Sequence, residues 1–112
     1  MARTIDIFSL SPETLLQAQA LGSRIRMARQ RRGLRVEDVA EKARIGKKTV
    51  EAVEKGALTT SLGAYLAVLN CMSLGSEVDL VADPGLDREG ALLIYEPGTR
   101  RVRPSRKLDN DF

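Results

Sequence analysis

Lys47 and Lys48 directly follow an Ile-Gly pair in the stretch ARIGKKTVEAVEKG. They stand at the start of a helix, the end where the backbone dipole opposes positive charge. That placement costs about 0.3–1 kcal/mol per lysine unless a partner offsets it. A step of 100° per residue sets Val50 and Val53 on one side. Lys48, Glu51, Ala52 and Lys55 then point the other way, with Lys47 and Glu54 on the flanks. The chemistry of the outward set suits base edges in a major groove. An ammonium donates to guanine O6 and N7, a carboxylate accepts from cytosine N4, and a small alanine permits close approach and touches a thymine methyl. A good base contact brings about 1–3 kcal/mol, more than the dipole cost.

Other chemistry has little to work with. The chain has no histidine, which removes the commonest general base and the usual metal ligand. The single cysteine, Cys71, lies in the apolar run YLAVLNCMSL and reads as a small buried hydrophobe; alone, it forms no internal disulfide. Glu37, Asp38 and Glu41 form an acidic cluster. Glu37 and Asp38 fall in the first turn of a helix, where negative charge is favoured, and this outweighs a catalytic carboxylate pair. The expectation is therefore a chain with no catalytic residues, no metal and no cofactor, and not an enzyme. No apolar run approaches the roughly 18 residues of a membrane span. The start, MARTIDIFSLSPETLL, carries Asp6 and Glu13 and makes a poor signal peptide, so a cytoplasmic location away from membranes is expected.

The 112 residues give room for one small domain, and four aromatics with no tryptophan make a thin core. The net charge of +3 is unevenly spread. Residues 21–56 hold eleven Lys/Arg against five Asp/Glu, a net of +6, while residues 57–99 carry −5. Residues 1–20 carry −1 and residues 100–112 carry +3. A segregated basic block suits a polyanionic partner.

The elements that must position the lysines are helices. Ser11-Pro12-Glu13 is a helix start, and the helical pattern runs to about Arg32, with Leu15, Leu21, Ile25 and Ala28 on its apolar face. Gly22 marks a point where that helix could break, and Gly33 ends it. A second helix covers Arg35 to Ala43, its face Val36, Val39, Ala40 and Ala43. After the tight Arg44-Ile45-Gly46 connection, the third helix runs from Lys47 to Lys55 and stops at Gly56; Ile45 and Val50 pair as a hydrophobic staple around Gly46. Ser61 caps a fourth helix reaching about Met72, with Leu62, Tyr65, Leu66 and Leu69 expected inward. Residues 1–11 suit a short strand or an arm. SEVDLVA alternates and reads as a strand in need of a partner strand, one that a second copy of the chain could bring. Asp83-Pro84-Gly85 is a turn, residues 86–95 fit helix or strand, and Pro97-Gly98 breaks again before a flexible basic tail.

Two short helices joined by a tight turn, the second polar at its start, form a helix-turn-helix. The stretch GLRVEDVAEKARIGKKTVEAVEKG resembles the XRE/Cro-type repressors, and the likeness covers about Leu21 to Leu74. It implies an all-α, lambda-repressor-like five-helix DNA-binding domain acting as a dimer on operator DNA. Carried over by position, base reading falls on Lys47, Lys48, Glu51 and Ala52. Phosphate contacts fall on Arg35, Thr49, Lys55, Thr59, Thr60 and Ser61, and a structural ion pair on Arg29 with Glu54. Arg44 departs from the family, which usually has glycine in that turn. The order of elements and the strand-like SEVDLVAD resemble the HipB-like antitoxins, which dimerise partly through a C-terminal strand, repress their own operon and bind a HipA-like kinase toxin. That resemblance implies a dimerisation segment containing Val78 and Leu80. The expected organisation is an N-terminal arm over 1–12, the helix-turn-helix domain over 13–74, a strand and dimerisation segment over 75–98, and a basic tail over 99–112. The expected function is a dimeric, sequence-specific repressor of double-stranded DNA. The alternative is a module that neutralises a protein partner without specific DNA binding.

Overall fold

The Ser11 hydroxyl accepts the Thr14 N–H at 3.2 Å, and Pro12 stands just inside; together they start α1, Pro12–Arg31. The computed structural model describes residues 5–95, which fall into two units, Met1–Val78 and Asp79–Phe112. In the first unit α1 is followed by α2 (Val36–Ala43), α3 (Lys47–Glu54) and α4 (Leu62–Cys71). The second unit holds α5, Arg88–Tyr95. Before α1, Ile7–Ser9 is a short 3₁₀ helix capped by the Asp6 carboxylate, in place of a strand. Among the described residues there is no strand, and no helix is long and apolar enough to cross a membrane.

One contiguous core joins the first four helices. Ile25 of α1, Val39 and Ala40 of α2, Val50 and Val53 of α3, and Ala64, Val68 and Met72 at α4 are all buried. Every member is aliphatic or Met, so the helices approach closely. Two glycines permit a close approach. A β-carbon at Gly22 would lie 2.5 Å from the Gly56 nitrogen and 2.6 Å from the Glu54 carbonyl oxygen, while one at Gly56 would overlap the Ala18 carbonyl. Gly22 therefore does not break α1. The helix runs on through it, and the missing side chain lets α1 pass over the C-terminal end of α3. Gly56 also has φ +73°, which suits glycine.

Two sequence expectations are corrected. The buried residues at α4 are Ala64, Val68 and Met72, spaced by four; Tyr65 and Leu69 pack on the core half-buried, as expected, whereas Leu66 is half-buried outside that cluster and Leu62 is 70% exposed. The segment read as a strand is instead a 3₁₀ helix over Gly75–Leu80. The alternation of SEVDLVA satisfies a strand's pattern, but a single strand leaves its backbone groups unpaired. Local bonding, such as Glu77 N–H to the Leu74 carbonyl at 3.2 Å, satisfies them within the chain.

In the second unit, Asp83 organises the turn that Asp83-Pro84-Gly85 signalled. Its carboxylate accepts the Gly85 N–H at 2.9 Å and its carbonyl the Leu86 N–H at 2.9 Å. Asp87 accepts the Gly90 N–H at 2.9 Å and starts α5, so the stretch ambiguous between helix and strand is helical from Arg88. The tail over 99–112 lies outside the described residues.

Candidate nucleic-acid interface

The turn that aims α3 is built on Arg44. Its backbone is left-handed, φ 61° and ψ 42°, which reverses the chain at the end of α2. The next amide, Ile45 N–H, reaches back to the Ala40 carbonyl at 3.1 Å, and the Ile45 side chain packs on the core. Gly46 then caps α3 from an extended backbone. Val50 and Val53 are 0% exposed, so the rotation of α3 about its axis is set by the core. Lys47, Lys48 and Lys55 are exposed; Thr49, Glu51 and Ala52 are half-buried. Lys47 and Lys48 thus stand at the exposed N-terminal end, and Lys55 at the C-terminal end, of a helix whose opposite side is anchored.

Arg29 and Glu54 fasten this helix to α1. Arg29 Nε donates to Glu54 at 2.6 Å and a second guanidinium nitrogen donates to its other oxygen at 3.0 Å. A third bond reaches the Leu34 carbonyl at 2.9 Å. Both side chains are close to buried, 12% and 8% exposed, and the Glu54 hydrogen bonds raise the Arg29 pKa above its ordinary value despite burial. The pair ties α1, the α1–α2 connection and the end of α3 into one piece.

The expected phosphate-contacting residues surround α3 on three segments. Arg35, just before α2, is exposed and held by Asp38: the carboxylate accepts the Arg35 backbone N–H at 2.7 Å and its guanidinium at 3.0 Å. The guanidinium bond, followed by the backbone bond, holds the Asp38 carboxyl below its usual pKa. Arginine carries no acceptor, so the reciprocal half of a capping box is missing. Thr59 and Ser61 are exposed and Thr60 is half-buried. Ser61 Oγ accepts the Ala64 N–H at 3.1 Å as the cap of α4, which leaves its O–H free to donate. Behind this loop the Tyr65 hydroxyl donates to the Ala57 carbonyl at 2.7 Å. Burial pushes the Tyr65 phenol up. Tyr65 braces the α3–α4 connection, a role that helical spacing alone gave no reason to assign.

Lys47 has an ionic partner that the sequence did not reveal. Its Nζ lies 3.2 Å from the Glu37 carboxylate of α2. Among the described residues Lys48 makes no ion pair. Val78 is half-buried and Leu80 is 59% exposed. Among the described residues no group of three or more His, Cys, Asp or Glu could hold a metal ion.

A short helix–turn–helix with its second helix anchored on one side and cationic at its free end is a DNA-binding arrangement. The chain belongs to the helix-turn-helix domain family, whose model matches residues 20–80, more than half its length. Neither the curated proteins nor the solved structures yield a match.

Proposed function

We propose that the protein is a sequence-specific, double-stranded-DNA-binding transcriptional repressor of the lambda-repressor-like kind, working in the cytoplasm as a homodimer on an operator. The observation that carries this reading is the orientation of α3: Val50 and Val53 are wholly buried while Lys47 and Lys48 are exposed at its N-terminal end. The first residues of a recognition helix are the ones that reach base edges. Lys47, Lys48, Glu51 and Ala52 read bases; Arg35, Thr49, Lys55, Thr59, Thr60 and Ser61 hold phosphates. The test is selection of duplexes from a random pool, followed by titration of the enriched sequence against a scrambled one. Wild type discriminates; K47A/K48A, folded by circular dichroism, loses that discrimination. A double variant that discriminates as well as wild type overturns the assignment.

A narrower form of this reading makes the protein the autoregulating antitoxin of a HipA-like kinase toxin. Its support is the order of elements, since the segment expected as a strand is a 3₁₀ helix. A kinase-like frame beside the gene, whose product forms a stable complex with this chain, is the result that sustains it. A second reading, a module that neutralises a protein partner without specific DNA binding, is favoured by one observation. Leu80, Val81, Leu86, Leu92, Leu93 and Ile94 are each at least half exposed. That density of exposed apolar side chains suits a protein contact. Failure of the pool to enrich any sequence selects this reading over the first.

A further inference from the structure

The two lysines at the head of α3 are not equivalent. Lys48 has no ionic partner among the described residues, whereas Lys47 is paired with Glu37 at 3.2 Å, each side chain 54% exposed. Glu37 is the second residue of α2, and Lys47 the first of α3, so the bond spans the turn between the two helices. Helix polarity explains the match. The N-terminal end of α2 favours a carboxylate and that of α3 disfavours a cation; pairing the two relieves the second.

We propose that Glu37 is a specificity-determining residue, which holds the Lys47 ammonium off the phosphate backbone and releases it only to a base edge that accepts it. The inference rests on the DNA-binding reading of α3. A lysine ammonium is a point charge that any phosphate attracts, and such contacts supply nearly all non-specific affinity. Glu37 has Lys47, Arg35 and Arg29 within its electrostatic reach, and hydrogen bonds from its backbone and from Lys47 keep its carboxyl below the usual range, so it is ionised whenever the protein meets DNA. A fixed carboxylate here subtracts one cation from the surface offered to random duplex. At the correct site, guanine O6 and N7 present two acceptors in place of the carboxylate. Lys47 exchanges one partner for another there, and the freed carboxylate, 54% exposed, is left to water.

The experiment compares wild type, E37Q, K47A and E37Q/K47A on a random-sequence duplex and on the selected duplex, each across a salt series. Glutamine keeps the shape and the helix while removing the charge, and circular dichroism checks the fold. E37Q should bind random duplex about 5- to 10-fold more tightly at low salt. Its log–log salt slope should steepen by about 0.9, the value of one additional phosphate neutralised. Affinity for the selected duplex should rise less, so the ratio between the two falls. In the K47A background the glutamine should leave slope and ratio unchanged. An E37Q protein with wild-type slope and ratio overturns the proposal. So does an equal effect of E37Q with and without Lys47, which makes Glu37 a general repeller of phosphates. A wild-type chain that binds no duplex removes the DNA-binding reading and this inference with it. A wild type that discriminates, with E37Q indistinguishable from it, removes only this inference.

Discussion

Arg44 holds its left-handed backbone at a cost that glycine would not bear. For an L-residue the strain is about 1–2 kcal/mol, and Arg44 is exposed, so no buried contact repays it. R44G should raise stability by about 1 kcal/mol after the extra freedom of glycine in the unfolded chain is deducted. R44A, which keeps the strain, should not; thermal melts of the two variants decide it. Asp38 makes a separate prediction through pH. Its folded carboxyl titrates below the usual range because Arg35 bonds the ionised form. Such a group stabilises the fold fully above its unfolded pKa, near 3.9, and that stabilisation is lost as pH falls through the lower folded value. D38N should lower the melting temperature at pH 7. It should also shrink the drop in melting temperature between pH 7 and pH 3, because the residue that loses its bond to acid is gone.

Gly22 carries the argument at the scale of elements. An alanine there meets the backbone of Gly56, Glu54 and Val53, all at 2.8 Å or less, and backbone cannot step aside as a flexible side chain can. G22A should cost about 1–3 kcal/mol, and more if α3 is displaced from α1. Because Glu54 is also bonded to Arg29, that displacement would disturb the rotation of α3, so G22A should weaken duplex binding even under conditions where it remains folded. The helices themselves were legible because their ends are marked: Ser11 and Ser61 accept the N–H groups expected of caps, and Gly33 and Gly56 take positive φ. The rotation of α3 was legible because two valines stand among polar residues. The face of α4 was not. Leu62, Ala64, Tyr65, Leu66, Ala67, Val68 and Leu69 are apolar almost all round, so periodicity selects no side: Tyr65 and Leu69 do pack on the core, but Leu62 is exposed and the buried positions are the smaller Ala64 and Val68. The strand expected at SEVDLVA failed for another reason, since pairing is a property of two segments and a pattern describes one. The Glu37–Lys47 bond was hidden in the same way: ten residues separate the partners, and only the angle between α2 and α3 brings them together.

At the scale of the chain, the basic block and the buried core both lie in the first unit, although the core continues beyond residue 56 to Met72. Among the described residues, every residue of the buried core lies between Ile25 and Met72, inside the Met1–Val78 unit. The basic block of residues 21–56 lies inside it too. Tolerance to truncation follows burial rather than position in the chain. A chain ending at Val78 should therefore keep the helix-turn-helix fold, with a cooperative melt within a few degrees of the full chain, and keep its binding to random duplex. The exposed apolar side chains of residues 80–94 are what it loses. If they join two copies, the full chain sediments as a dimer and the truncated one as a monomer at the same concentration. Affinity for a two-fold symmetric site should then fall steeply while random-duplex affinity does not, since one half-site reader cannot draw on the proximity of the other. Equal sedimentation of the two chains would place the dimer contact within the first 78 residues, or remove the dimer altogether. A truncated chain that fails to melt cooperatively would mean that the first 78 residues do not fold alone.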